Sequence, residues 1–599
     1  MMMYSKYVPQ SLKHFMCHGQ YKEVTKALQD VKNEANLQAE CMDIVSLLAG
    51  YLTEQNLEAN FELYSMSEDL LKLVAERCNP QETLLEILEK IETTNHDEIF
   101  TSLLKSLQIV LLRLHNNKPR SFEFSLNSIL TYIEKVNLPE YIKNSDEKQE
   151  LLLETDSTVR RILQLYMTVL LFLEPFTKLL QNDATTVFRD TTATRKNILI
   201  CFILQLLQKS SIYLNVEKKT DKMDVKTYTR QVAEDLILVI LKLTGDPFFF
   251  LLFHNNEYVC SSVFEKSRQN LKQNIFRMQD KCSTESLAMF YYLLLVGDLV
   301  PETAPKLYTS HYLFETCLGF CVHFLSHEQS AINYKGIQMG QTLLEILGTK
   351  HLQAKDLDEN MHRLFCQYLT QTIIYSSIER NRKEGTLLLR DYILKFDCEG
   401  RYLLISNLFK SVNHSGLRSY LATIFKNMVH KAIEDYGDKN RKNDLFLGKS
   451  LKHLLMTEIC VLKNHIETDL IDNADEIISG LNILRFLIIR DKTNVTDICS
   501  YIDQLDQQFL KPLRKSIDMS RAHFSAELDQ VQQGLPVEEK IDFDISVDVL
   551  NGESLSELTK ERKLSMLKNA LNTFDLMDCL LARVNECVTI GLKSHKKAK

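Results

Sequence analysis

Helical periodicity recurs along nearly the whole chain, and this rhythm restricts the fold more than any other feature. Apolar residues return every three or four positions through 56–77, 82–92, 99–114, 158–180, 196–214, 231–243, 285–295, 360–376, 384–396, 417–432 and 565–588. The breaks are short and polar, as at 143–149, 216–226 and 436–443. No strict sequence repeat is present, yet one helix follows another every ~20 residues and pairs return near ~40, the spacing of HEAT- and armadillo-like units. Such units cannot bury their inner faces alone and must stack. The low counts of 10 Pro and 17 Gly in 599 residues agree, because strand-rich folds need more turns and sit nearer ~5% and ~7%. The expected fold is an all-α, HEAT/armadillo-like helical-repeat solenoid. A chain of this length exceeds what one core can organise.

One stretch departs from the helical period. Residues 540–550 read KIDFDISVDVL, where Ile541, Phe543, Ile545, Val547 and Val549 alternate with mostly polar residues ahead of Asn551-Gly552. A short β-hairpin insertion over 540–553 and an extended connector both fit this alternation.

Charge and thiol usage narrow the partners. The net charge is −8, and the basic tail KSHKKAK at 593–599 is the sole tract that could track phosphates; a solvated end accounts for it, so no nucleic-acid partner is expected. The opening MMMYSKYVPQ lacks the apolar run of a secretory signal. Most of the 14 Cys sit singly in apolar helical contexts, such as Cys201, Cys366, Cys460 and Cys579, as buried thiols of a cytoplasmic protein do. The longest greasy stretches, NILICFILQLLQ and LILVILKLTGDPFFFLLF, are short or broken by Lys242 and Asp246. Neither reaches the ~18–20 uninterrupted residues of a membrane span.

Residue patterns for catalysis are equally sparse. Cys317, Cys321, His323 and His327 form the densest thiol–imidazole group, but Cys317 and Cys321 share a helix face from which His323 points away, and structural zinc draws on tighter knuckles. Asn443 to Ser450, NDLFLGKS, ends like a phosphate loop, yet it lacks the first glycine and a preceding strand. No catalytic, cofactor or metal residues are assigned. On residues alone two classes of function stay open: a non-enzymatic interaction protein, and an enzyme whose site is assembled from distant segments.

The stretch 467–491, ETDLIDNADEIISGLNILRFLIIRD, is unusual for its apolar circumference. Ile477, Leu481, Leu484 and Ile488 share one helix face, with Ile478, Ile483 and Leu487 beside it. The opposite strip holds Asp475, Ser479, Asn482 and Arg490, with Phe486 at its centre and Ile489 at its edge. Asn473 and Glu476 have the spacing of a capping box, predicting a start near Ala474. A helix this apolar is covered on several sides. The strip either packs on a neighbouring repeat or meets a partner.

Longer stretches carry a resemblance. They are Cys78-Asn79-Pro80 leading into ETLLEILEKIE, Leu114-His115-Asn116, Gly245-Asp246-Pro247-Phe248, FDCEGRYLLISNLFKSVNHSG at 396–416, the stretch at 467–491, FLKPLRKSIDMSRAHFSAEL at 509–528 and TFDLMDCLLARV at 573–584. In this order and spacing the chain resembles the glomulin family of HEAT-like repeat proteins. The resemblance implies a non-catalytic inhibitor of cullin–RING ubiquitin ligases, a monomer that binds the RING-box subunit through C-terminal repeats and masks the docking surface of the ubiquitin-conjugating enzyme. It also implies association with immunophilins and a part in vasculature development. On this reading residues 1–310 are scaffold and 311–599 hold the RING-binding region. The residues expected there are Asn413, His414, Asp475, Ser479, Asn482, Phe486, Arg490, Arg521, His523, Asp575 and Arg583. Each has an alternative as ordinary helix surface or repeat packing.

Overall fold

The computed structural model describes residues 8–30, 34–114, 119–138, 155–182, 194–209, 213–214, 216, 227–251, 282–437, 445–533 and 560–598. Among these residues α-helix dominates and no strand forms; the one extended contact is an isolated parallel bridge between Leu352 and Phe396. The all-α helical-repeat architecture is therefore what the chain adopts. The hairpin expected over 540–553 lies outside the described residues. The chain divides into two compact units, Met1–Leu347 and Gly348–Lys599.

In the first unit the helices form two layers. Phe61–Arg77, Asp97–Arg113, Ser157–Gln181 and Tyr228–Leu243 pack in succession on one side, and Cys41–Gly50, Pro80–Thr93, Pro119–Glu134, Arg195–Lys209 and Thr284–Leu295 on the other. Short polar side chains start several of these helices. Asn60 interrupts the run expected over 56–77 and accepts the amide of Leu63 at 3.3 Å, and Asn79 accepts that of Gln81 at 3.0 Å with Pro80 at the first helical position.

The helix ends are closed by arginines reaching across the layer. Arg77 donates to the carbonyl of Leu28 at 2.7 Å, and Arg113 to those of Ala75 and Cys78 at 2.5 and 2.8 Å. Arg195 reaches Leu111 and Leu114 in the same way. Helices leave their last carbonyls without partners, so each guanidinium both satisfies one repeat and fixes the next upon it.

Two corrections to the sequence reading fall in this unit. Among the described residues, the one helix with the length and composition of a membrane span is Ser157–Gln181, which the sequence reading did not single out. Half of its apolar window is buried, and Val159, Ile162, Tyr166, Val169, Leu173 and Phe176 form its inward stripe. The second correction is the pair Ser310–Leu325 and Ser330–Leu347, which the periodicity did not mark because the first helix is apolar almost all round. They cross at Gly336, where a Cβ would come within 2.8 Å of Leu325 Cγ. Cys321 donates to the Gly336 carbonyl at 3.0 Å, and burial pushes the thiols of Cys317 and Cys321 far up.

The helices of the second unit are α1 (Asn360–Tyr375), α2 (Glu379–Lys395), α3 (Cys398–Ser411), α4 (Ser415–Glu434), α5 (Gly448–Leu454), α6 (Ala474–Arg490), α7 (Ile498–Leu505), α8 (Lys511–Gln533) and α9 (Lys560–Ala598). A π-turn at Leu455–Ile459 follows α5. Helix α4 packs on α6, α6 on α9, and α9 on α8, so the last helix in sequence lies between α6 and α8. Its inward residues Ala570, Phe574, Met577, Leu581 and Val584 follow a seven-residue period and are buried; Cys579 lies off this stripe and is exposed, not buried as expected, whereas Cys201, Cys366 and Cys460 are buried.

Candidate protein-binding face

The candidate residues gather on α4, α6, α8 and α9. Helix α4 begins at His414, whose Nδ1 accepts the Leu417 amide at 3.2 Å. One turn on, the buried Arg418 donates to the carbonyls of Phe409 and Val412 at the end of α3 and to Glu458 at 2.6 Å at the end of the π-turn. Its Nε pairs with the Glu476 carboxylate on α6, which Lys463 also approaches at 3.6 Å. Arg418 thus ties four segments at one point.

Helix α6 starts at Ala474 as expected, but not by the expected capping box. The Asn473 amide group donates to the Asp469 carbonyl at 2.8 Å, and Glu476 turns toward Arg418. The Glu476 backbone amide is capped instead by Ser415 Oγ from α4, at 3.2 Å. Four contacts then follow in step along both helices, which run parallel: Ser415 with Glu476, Ser419 with Ser479 at 2.7 Å, the His430 ring with Phe486 at 5.5 Å, and Glu434 with Arg490 at 3.1 Å.

The mixed strip of α6 therefore faces α4 along part of its width. Ser479 and Phe486 are half-buried in this seam, while Asp475, Asn482, Ile489 and Arg490 are exposed at its edge. Ile488, read as part of the buried face, is half-buried. Asp475 lies near the start of α4: its Oδ2 would be 3.5 Å from a Cβ on Gly416, next to His414. Asn413, His414 and Asp475 thus share one end of the α4–α6 ridge, and Arg490 marks the other.

A second cluster lies on the α8–α9 seam. Arg521 pairs with Asp575 at 2.7 Å and approaches Asp578 at 3.7 Å, which Arg514 also holds at 3.1 Å. Two residues expected as separate partner contacts are thus bound to each other. Phe524 meets Phe574 edge to face at 5.3 Å beneath them. His523 is exposed, with Nε2 3.9 Å from Glu527. Arg583 is exposed and makes no ion pair among the described residues, neither with Asp578 nor with Glu586. Asp578 and Glu586 are the local alternatives for Arg583, and Asp578 instead meets Arg514 and Arg521; residues that the sequence reading did not include are the cross-helix partners His430, Glu434 and Arg514, for which a single helix wheel carries no signal.

Chemically, the two clusters offer hydrogen-bonding groups and charges around isolated apolar side chains: Ile489 on α6, Met519 on α8 and Leu576 on α9 are each about half-exposed or more, at 51%, 59% and 50%. Such a mixture suits recognition of another protein surface, where a few apolar contacts sit within a polar rim.

Known proteins match this chain across both units. The model described as "Uncharacterised protein family, YAP/Alf4/glomulin" matches residues 19–553. Glomulin of Mus musculus is 27% identical over 581 residues, which cover 96% of this chain and 92% of that protein. Glomulin of Homo sapiens is 26% identical over 583 residues, with the same coverage of both chains. With a match that takes in the arginine-closed repeats of the first unit and the α4–α6 ridge of the second, the chain belongs to the YAP/Alf4/glomulin family.

Proposed function

We propose that this protein is a non-catalytic, cytoplasmic regulator that binds the RING-box subunit of cullin–RING ubiquitin ligases through its second unit. In this reading it occupies the surface where the ubiquitin-conjugating enzyme docks, and inhibition follows from occlusion alone. The observation that carries the reading is membership of the glomulin family along nearly the full length of the chain. The makeup of the α4–α6 ridge supports it. A RING domain offers a small apolar and aromatic patch with polar edges, and the ridge edge sets Ile489 and the half-buried Phe486 among Asp475, Asn482 and Arg490. Blocking needs affinity and no reaction, so no acid, base, nucleophile or cofactor enters the mechanism.

The test is a ubiquitination assay with a purified cullin–RING complex and its conjugating enzyme, titrated with the full chain. Product should fall to background at saturation, and adding more conjugating enzyme should restore it. Unchanged product at saturating protein would overturn the proposal. Phe486→Ala combined with Arg490→Glu should shift the inhibition curve to higher concentration by about tenfold, since one aromatic contact and one reversed charge are together worth roughly 1–2 kcal/mol in an interface.

A further inference from the structure

We propose that the outer faces of Cys41–Gly50, Pro80–Thr93 and Pro119–Glu134, in the first unit, form a docking surface for a basic amphipathic helix of a partner protein. Each of these helices turns a regular apolar stripe to the core, as Leu84, Ile87, Leu88 and Ile91 do in the second. Each also carries a large apolar side chain outside that stripe: Met42, Leu85 and Phe124 are 43%, 61% and 64% exposed. Exposed apolar residues scattered singly are ordinary. These three stand in a row.

Contacts between the helices fix the row. Cys41 Sγ lies 3.2 Å from Thr83 Oγ1, 42 positions on. Ser128 Oγ donates to the Glu92 carboxylate at 3.0 Å and Lys135 Nζ to the Glu92 carbonyl at 2.7 Å, 36 and 43 positions on. Met42 to Leu85 is 43 positions and Leu85 to Phe124 is 39, so the three side chains come level across successive helices. Packed helices lie ~8–10 Å apart, and the row therefore offers an apolar group at that interval. A helix laid across it repeats one face every seven residues, or ~10.5 Å. A strand repeats a face every second residue, or ~6.8 Å. The spacing suits the helix.

Charge names the partner's chemistry. Asp43 and Glu89 are exposed, and Glu86 is half-buried next to Leu85. None of the three enters an ion pair among the described residues. Burial, and after it the charges of Glu89 and Asp43, raise the Glu86 carboxyl above its ordinary value, and Lys90 offsets only part of this. Carboxylates that repel one another around an apolar row favour a partner with cations beside its own apolar stripe. The same repulsion opposes a second copy of this chain on that face. The occupant is thus a helix with apolar residues at i, i+7 and i+14, flanked by Lys or Arg.

The test is fluorescence anisotropy of a labelled Leu–Lys peptide with Leu at the core positions of a heptad, about 18 residues long so that it crosses three helices. Titrated with the full-length protein it should bind, while the same residues in scrambled order and a Leu–Glu version should not. Leu85→Ser with Phe124→Ser, and Glu86→Lys with Glu89→Lys, should each weaken binding by about tenfold or more. On the wild-type chain, a photo-reactive leucine in the peptide should cross-link to 41–50, 80–93 or 119–134, a readout that needs no variant to fold. No binding, equal binding of the scrambled peptide, unchanged affinity of either folded double variant, or cross-links confined to other segments would overturn the proposal. So would a wild-type dimer that Leu85→Ser with Phe124→Ser turns into a monomer, since a second copy would then hold the row.

Discussion

At the scale of single residues, Arg418 illustrates how a charge can be structural. It is buried, its partner Glu476 is nearly so, and its remaining donors close the ends of two segments. Removing one member of such a pair leaves an uncompensated buried charge and unpaired carbonyls. Arg418→Ala is expected to lower stability by about 3–5 kcal/mol in urea denaturation. Arg418→Lys should recover part of this, because an ammonium cannot fork to several carbonyls at once. Phe486 lies at the other extreme. It is half-buried against His430, so Phe486→Ala should cost about 1–2 kcal/mol, well below the ~3–5 of a fully enclosed phenylalanine. Arg490→Glu, at an exposed pair with Glu434, should change stability by less than ~1 kcal/mol. Thermal melts of the two single variants check the ranking. The sequence could mark Phe486 as anomalous but not decide what it touches. Likewise, Asn473 and Glu476 had the spacing of a capping box, and the actual cap, Ser415, sits 61 positions from the amide it serves.

At the scale of elements, the repeats are held by side chains that cross from one helix to its neighbour. Glu68, on Phe61–Arg77, accepts from Ser102 at 2.6 Å and pairs with Lys105 at 2.8 Å, both on Asp97–Arg113, and with Lys72 at 2.6 Å in its own helix. Burial favours its neutral form, yet these donors together bring its carboxyl down from the ordinary 4.5 to about 2. A depressed folded-state value means that the unfolded chain binds the proton first. Glu68 therefore contributes stability, on the order of 2–3 kcal/mol, that is complete above about pH 4.5 and lost as pH falls toward 2. Glu68→Gln should be less stable at pH 7, and the difference from wild type should shrink across that window. Denaturation midpoints of both proteins from pH 7 to 2.5 check it. Most of these helices could be read from apolar spacing to within a few residues, because amphipathic stripes are local. Among the helices that the spacing did not mark, two have weak stripes: Ser310–Leu325 is apolar nearly all round, and Ser330–Leu347 is interrupted by Gly336 and Gly340. The cross-helix ties could not be read, since each joins positions some 34 to 37 apart whose pairing depends on how two helices stack.

At the scale of the molecule, chain order and spatial order part company at the C-terminus. The heptad of Ala570, Phe574, Met577, Leu581 and Val584 identifies α9 as a helix with one buried seam, and that much is legible. Its position between α6 and α8 is not legible, because nothing in a helix pattern says which earlier helices it will separate. The consequence is that both candidate clusters depend on it: α9 supports α6 beneath the ridge and supplies Asp575 and Asp578 to the second seam. Deleting the chain after Gln533 removes, besides Ala570, the four large buried side chains of Phe574, Met577, Leu581 and Val584, each worth about 1.5–3 kcal/mol, for a total of ~10 kcal/mol. That is comparable to the entire stability of a typical domain. The shortened chain should lose hydrogen-exchange protection through α6 and α8, while the helices Phe61–Arg77 and Asp97–Arg113, which belong to the other unit, keep theirs. Binding to a RING-box subunit should vanish with the protection, whereas Phe486→Ala with Arg490→Glu should weaken binding and leave protection intact. Protection of α6 at wild-type level in the truncated protein would mean that α9 is an appendage and that the ridge stands without it.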